Sequence, residues 1–259
     1  MGYSFIGVLA SISLLAGCLN NTSEQSRQEE GKEAEVAITR PCKTLIVVGD
    51  DRSGSATEIR RLDSLDYKKV MQAICDNGGG AFACVIIGNP SPQNKQSFRT
   101  TFNLPLPHKQ KVKGATLSQD EAVMLENKQI DIDNQQIKAE NAAKVQEFTR
   151  VISEKVIQYQ PDKKDLTDID DALYHINTIL NEPTYADYDN IIVALFCDGI
   201  NQPRGSKIEP ITQKLGSQKD FQLYTIGWKD PSIFTGVKNM ASFDSKEGFI
   251  ETVRKISCR

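Results

Sequence analysis

The stretch that most constrains this chain is Thr44-Leu-Ile-Val-Val-Gly-Asp-Asp-Arg-Ser-Gly-Ser55. Its apolar half, Thr44 to Val48, is short and ends abruptly in acid and hydroxyl. Such a run, bounded by turn residues, reads as a buried strand of a parallel sheet. Asp51, Ser53 and Ser55 then fall at the strand's carboxyl end, where open α/β sheets bind their ligands. Three oxygen-bearing side chains on one tight loop suit a hard divalent cation. Asp, Ser and Gly are also ordinary turn formers, so the loop gains its meaning from a second stretch. Ile191-Ile-Val-Ala-Leu-Phe-Cys197 is again apolar and again ends in an acid, Asp198-Gly199.

The remaining elements fit around these two strands. Ala56 to Ala73 approximates helical spacing, with Ile59, Leu62, Leu65, Val70 and Ala73 among charges, and Gly78-Gly79-Gly80 closes it. Ala81 to Ile87 reads as a strand. Ser97 to Phe102, reached by a short turn, reads as its antiparallel edge partner. Pro105 and Pro107 break the pattern. From about Ser118 to Tyr159 the chain is helical in character, with Ser118 and Glu121 spaced as a capping box. An amphipathic helix packed on the domain fits this stretch better than a projecting coiled-coil arm, because Ile130 and Ile137 give only one heptad. A helix from Asp168 to Leu180, one from about Lys207 to Ser217, a strand from Phe221 to Ile226 and a last helix from about Lys246 to Ile256 complete the order. The predicted fold is a doubly wound, mostly parallel α/β sheet with one antiparallel edge strand and helices on both faces, plus a helical insertion at about 108–160.

Three segments carry a resemblance. Asp51-Arg-Ser-Gly-Ser55 follows the first strand, Leu166-Thr167-Asp168 opens a helix, and Phe196-Cys-Asp-Gly199 closes a central strand. In this order they resemble the von Willebrand factor type A domain. The resemblance covers roughly residues 42 to 258. It implies a metal-ion-dependent adhesion site on Asp51, Ser53, Ser55, Thr167 and Asp198. It further implies a divalent cation, Mg²⁺ first with Mn²⁺ or Ca²⁺ as alternatives, and a protein partner that supplies an acidic side chain to it. Asp50 doubles the first acid and falls outside this register, and Cys197 stands where Thr is common in the family. Each residue also has a plainer use, since Thr167 with Asp170 would make a capping box and Asp198 would shape a turn.

The N-terminus bears on location. Residues 3 to 17 have the length of a secretory apolar region and are too short to span a membrane comfortably. They end in Leu15-Ala16-Gly17-Cys18, which resembles the bacterial lipobox, although Met1, Gly2 and Tyr3 carry no Lys or Arg. That resemblance implies a signal peptide over 1–18 with Cys18 lipidated, and a mature protein anchored in the cell envelope, on a periplasmic membrane face or the cell surface. Residues 19–40 are polar and nearly free of aliphatics, so they read as a tether to the domain at 41–259. In an oxidising compartment disulfides form. Cys42 and Cys258 flank the domain and would staple its ends, Cys75 and Cys84 would close a small loop, and Cys197 is the candidate buried thiol.

Composition argues against a nucleic-acid binder, because a net charge of -3 comes with no basic stripe interleaved with aromatics. The leading expectation is an envelope-anchored, metal-dependent binding module rather than an enzyme. A metal-dependent phosphoesterase using Asp50 or Asp51 is the alternative, weakened because Asp51-Arg52-Ser53 lacks the Asp-x-Asp of one phosphatase class. A metal-free scaffold binding through the helical insertion is the third.

Overall fold

A computed structural model describes residues 41–53, 61–88, 97–111, 114–160, 167–199, 221–229, 234 and 237–256. Six strands form one sheet in the order β3-β2-β1-β4-β5-β6. They are β1 (Thr44–Asp51), β2 (Gly80–Ile87), β3 (Ser97–Phe102), β4 (Asn190–Phe196), β5 (Gln222–Ile226) and β6 (Met240–Phe243). Only β3 runs antiparallel, at the edge beside β2. The doubly wound sheet expected from the sequence is the one observed. β6 was not anticipated, because Met240-Ala-Ser-Phe243 is short and lacks alternation. It is a strand because β5 offers it a parallel partner, with Leu223 facing Met240 and Ile226 facing Phe243.

Every residue of β1 and β2 is buried, as expected when helices cover both faces. One face packs Ile46, Val48, Phe82 and Phe196 against three helices: α1 (Ser64–Asp76), the C-terminal part of α2 (Leu117–Ile152) and α4 (Lys246–Arg254). The other packs Leu45, Val47, Val193 and Leu195 against α3 (Ile169–Leu180). In α3 the buried residues Ile169, Ala172, Leu173, Ile176, Ile179 and Leu180 recur every three or four positions, which makes one apolar stripe. Each large aliphatic buried there contributes about 1.5–3 kcal/mol.

Two helix starts differ from expectation. α1 begins at Ser64, because Asp63 and Asp66 form a reciprocal capping box; residues 56–60, which the sequence assigned to its start, lie outside the described residues. The box at the head of α2 is Thr116 with Gln119, two positions upstream of the expected Ser118 and Glu121.

The helical insertion is neither purely packed nor freely projecting. The C-terminal third of α2 buries Asn141, Val145, Phe148 and Ile152. The N-terminal part is lined by residues 103–111, which run antiparallel to it without regular structure. Three asparagines seven residues apart hold this strap. Asn141 accepts from Asn103 N and donates to Asn103 O (both 2.9 Å). Asn134 does the same with Leu106 (2.7 and 3.0 Å), and Asn127 with Lys109 (2.8 and 2.9 Å). Seven helical residues rise about 10.5 Å, and three residues of extended, proline-rich chain span about 9 Å. The two repeats nearly match, so one amide side chain meets every third strap residue.

Cysteine chemistry corrects one expectation. Cys75 and Cys84 are free thiols and do not pair. Cys84 points into the core against Tyr67 (3.4 Å), and burial pushes both thiols up to about 12. Cys42 is disulfide-bonded. Cys258, its expected partner, lies outside the described residues, as do Cys18 and the expected signal and tether at 1–40. Asn77, the cap residue of α1, donates to Val253 O in α4 (3.4 Å), and its neighbour Gly78 lies against the Cys42 backbone, so the last helix packs near the segment that leads into β1. Non-reducing peptide mapping is expected to link the Cys42 peptide to the C-terminal one; a link to any other cysteine overturns that pairing.

Candidate metal centre

β1 and β4 are adjacent and parallel, with Asp50 opposite Phe196. The next pair in that register is Asp51 beside Cys197, and Asp198 follows. One ligand atom each from Asp51, Cys197 and Asp198 lies within 4.8 Å of the other two, and all three residues are buried. The two acids singled out in the sequence therefore meet at the carboxyl edge of the sheet.

The loop after β1 folds back on its own acid. Ser53 N donates to Asp51 Oδ1 (2.8 Å), and the Ser53 hydroxyl also bonds to this carboxylate. Cys197 Sγ donates to Asp51 Oδ2 (3.2 Å). Burial pushes the Asp51 carboxyl above its ordinary value. The bonds from Ser53 and Cys197 oppose that shift, and the charge of Asp198 adds to it. Thr167 is 4% exposed. It is not the cap of α3; that role belongs to Asp168, whose side chain accepts from Asp171 N (2.9 Å). Asp168 N donates in turn to Gly88 O (2.8 Å), which ties Thr167 to the end of β2, the strand beside β1. Ser55 lies outside the described residues.

The turn after β4 depends on Gly199. Its φ is +77°, and a Cβ there would stand 2.5 Å from the Trp228 indole. Gly199→Ala is expected to cost about 1–3 kcal/mol of stability from backbone strain alone and to displace Asp198. An unfolding curve superimposed on wild type would contradict this.

Side-chain parity separates the two neighbouring acids. Successive strand residues face opposite ways, so Asp51 shares the α3 face while Asp50 shares the α1 face. Asp50 is 0% exposed. It accepts hydrogen bonds from the Arg52 guanidinium and the Tyr67 hydroxyl, and Arg52 Nη2 also donates to Leu62 O (2.7 Å). Burial pushes the Asp50 carboxyl up, while Arg52 and Tyr67 pull it back down. Burial alone would lower Arg52, but Asp50 beside it raises it, so the guanidinium stays charged. Arg61 Nη2 donates to Ser53 O (2.6 Å). The loop after β1 is thus anchored from the opposite face of the sheet. The sequence reading set Asp50 outside the motif and overlooked Arg52; the alternation Asp50-Asp51-Arg52 along one strand end was the signal for both.

The donor set fits a divalent cation. Asp51 and Asp198 carry the charge to balance one, Ser53 and Thr167 offer neutral oxygens, and Cys197 adds a soft donor.

Strand order and this cluster define a doubly wound α/β domain with an acidic, thiol-bearing site at its carboxyl edge. No protein-family profile matches the chain, and no curated protein matches it. Among solved structures it is similar to proximal thread matrix protein 1 from the mussel byssus. Crystal form 2 of that protein is 16% identical with a TM-score of 0.41, over 85% of this chain and 49% of that one. The form described as having a zinc-occupied MIDAS motif is 15% identical with a TM-score of 0.40, over the same shares. The chain spans about half the length of these structures. Likeness at this level carries no functional weight, and the fold stands on its own strand order and register.

Proposed function

We propose that the domain is a binding module that uses a divalent cation at Asp51, Ser53, Ser55, Thr167 and Asp198 to capture a protein through an acidic side chain. The observation that carries the reading is the convergence of Asp51 and Asp198 within one ion's reach, at the edge where two buried parallel strands end. A cation held there supplies an acceptor for one more anionic oxygen, because two carboxylates balance its charge and the hydroxyls add none. Ser53 holds Asp51 by its amide and hydroxyl, and Asp168 holds the Thr167 loop by its bond to Gly88. The site is therefore shaped before any ion arrives. Mg²⁺ or Mn²⁺ suits an all-oxygen set.

Anchoring in a bacterial envelope through Cys18 belongs to the same proposal, supported by Leu15-Ala-Gly-Cys18 and the polar tether that follows. Among the described residues no helix is long and apolar enough to cross a membrane.

Calorimetric titration with Mg²⁺ and Mn²⁺ tests the reading directly. Wild type is expected to bind one ion, and Asp51→Ala and Asp198→Ala none. Identical isotherms for wild type and Asp51→Ala would remove the site.

A further inference from the structure

We propose that Cys197 is itself a metal ligand and that it turns this site toward zinc. The inference rests on the proposed cation site and goes beyond its oxygen set. Three observations point the same way. Cys197 Sγ lies with one oxygen each of Asp51 and Asp198 inside a 4.8 Å cluster, so the three atoms are close enough to converge on a single small ion. The buried sulfur contacts Asp51 Oδ2 at 3.2 Å, which sets it against the acid pair at the end of the core. Gly199 N donates to the same sulfur at 3.4 Å. An amide aimed at sulfur is the kind of outer bond that orients a ligating side chain and tunes it.

The register explains why the sulfur is there. Asp50 pairs with Phe196, so Cys197 is the β4 neighbour of Asp51 and shares its face. A residue at this position sees the ion whether or not it ligates. With Thr there, the site would present oxygen only. With Cys, it presents one soft and two hard donors.

Those donors define a second way of holding an ion. Mg²⁺ asks for six oxygens in near-octahedral order and tolerates sulfur poorly. Zn²⁺ accepts thiolate and carboxylate in a tetrahedral set, with three protein ligands and one open position. Asp51, Cys197 and Asp198 make that set, and the open position takes water or a partner's carboxylate. On ligation the thiol proton passes to solvent and the Zn–S bond replaces the S–H···Oδ2 contact, so binding one Zn²⁺ releases at least one proton.

Cobalt is the probe, because a Co²⁺–thiolate bond absorbs in the near ultraviolet and a Co²⁺–oxygen set does not. Co²⁺ titrated into the full-length protein is expected to raise that charge-transfer band at one equivalent, and Zn²⁺ to bleach it. In Cys197→Ser and Cys197→Thr the band is expected to vanish. Zn²⁺ affinity is expected to fall at least about tenfold, while Mg²⁺ affinity stays within about threefold. Cys197→Thr suits a strand end and guards against a folding defect in the serine variant. A band that survives in both variants assigns the signal to another cysteine and overturns the proposal. So does Co²⁺ binding with no band in wild type. If no ion binds wild type at all, the cation site itself fails. If Mg²⁺ binds and Cys197 changes nothing, only the zinc inference fails.

Discussion

Asp50→Ala is expected to destabilise the domain by about 3–5 kcal/mol, the range found when one partner of a buried ion pair is removed. Asp50 is wholly buried and Arg52 is only 6% exposed. Without the carboxylate, Arg52 keeps its charge and loses its buried counter-ion, and the Leu62 carbonyl it still meets carries no charge to balance it. Tyr67 loses its acceptor at the same time. In a domain of this size such a loss lowers the melting temperature by roughly 10 °C. Replacing both partners tests the cause: Asp50→Leu with Arg52→Met removes the stranded charge and should recover most of the loss. The loop after β1 should respond too, because Arg52 lies between Asp51 and Ser53 and its guanidinium fixes that turn from below the sheet. Asp50→Ala with wild-type stability in denaturant unfolding would mean that the pair is not the anchor described.

Saturating Mg²⁺, at about one hundred times its dissociation constant, is expected to add about 2.7 kcal/mol to wild-type stability and nothing to Asp51→Ala. The linkage requires only that the ion bind the folded state, which alone brings Asp51 and Asp198 together from positions 147 residues apart. In the absence of metal the variant has two opposing effects. Burial and the charge of Asp198 both disfavour an ionised Asp51, so its removal relieves a cost. The same change strips an acceptor from the Ser53 amide, the Ser53 hydroxyl and the Cys197 thiol. Each such bond is worth about 1 kcal/mol net, so the metal-free variant is expected to be slightly less stable than wild type. Thermal unfolding of both proteins with and without Mg²⁺ reads out the two effects separately. An equal shift in both would place the ion elsewhere.

The sheet was legible because its signals are local. Apolar runs of five to seven residues ending in Asp fixed β1 and β4, and alternation in Ser97 to Phe102 marked the antiparallel edge. α3 announced itself by a stripe at three- and four-residue spacing. Asn127, Asn134 and Asn141 were visible as a seven-residue repeat, but their meaning depended on a strap with no periodic signal of its own.

Asp51, Ser53 and Asp198 could be named as candidates from residue type, since a cation needs oxygen donors and these stand at strand ends; Thr167 could be named only through the family resemblance. Which side chains converge could not. Backbone pairing between β1 and β4 set Cys197 beside Asp51, and strand parity sent Asp50 through to the opposite face, into Arg52 and Tyr67. A one-residue change of register would exchange those partners. Composition and spacing along the chain carry no information about register between strands that lie more than a hundred residues apart; only the packed sheet decides it.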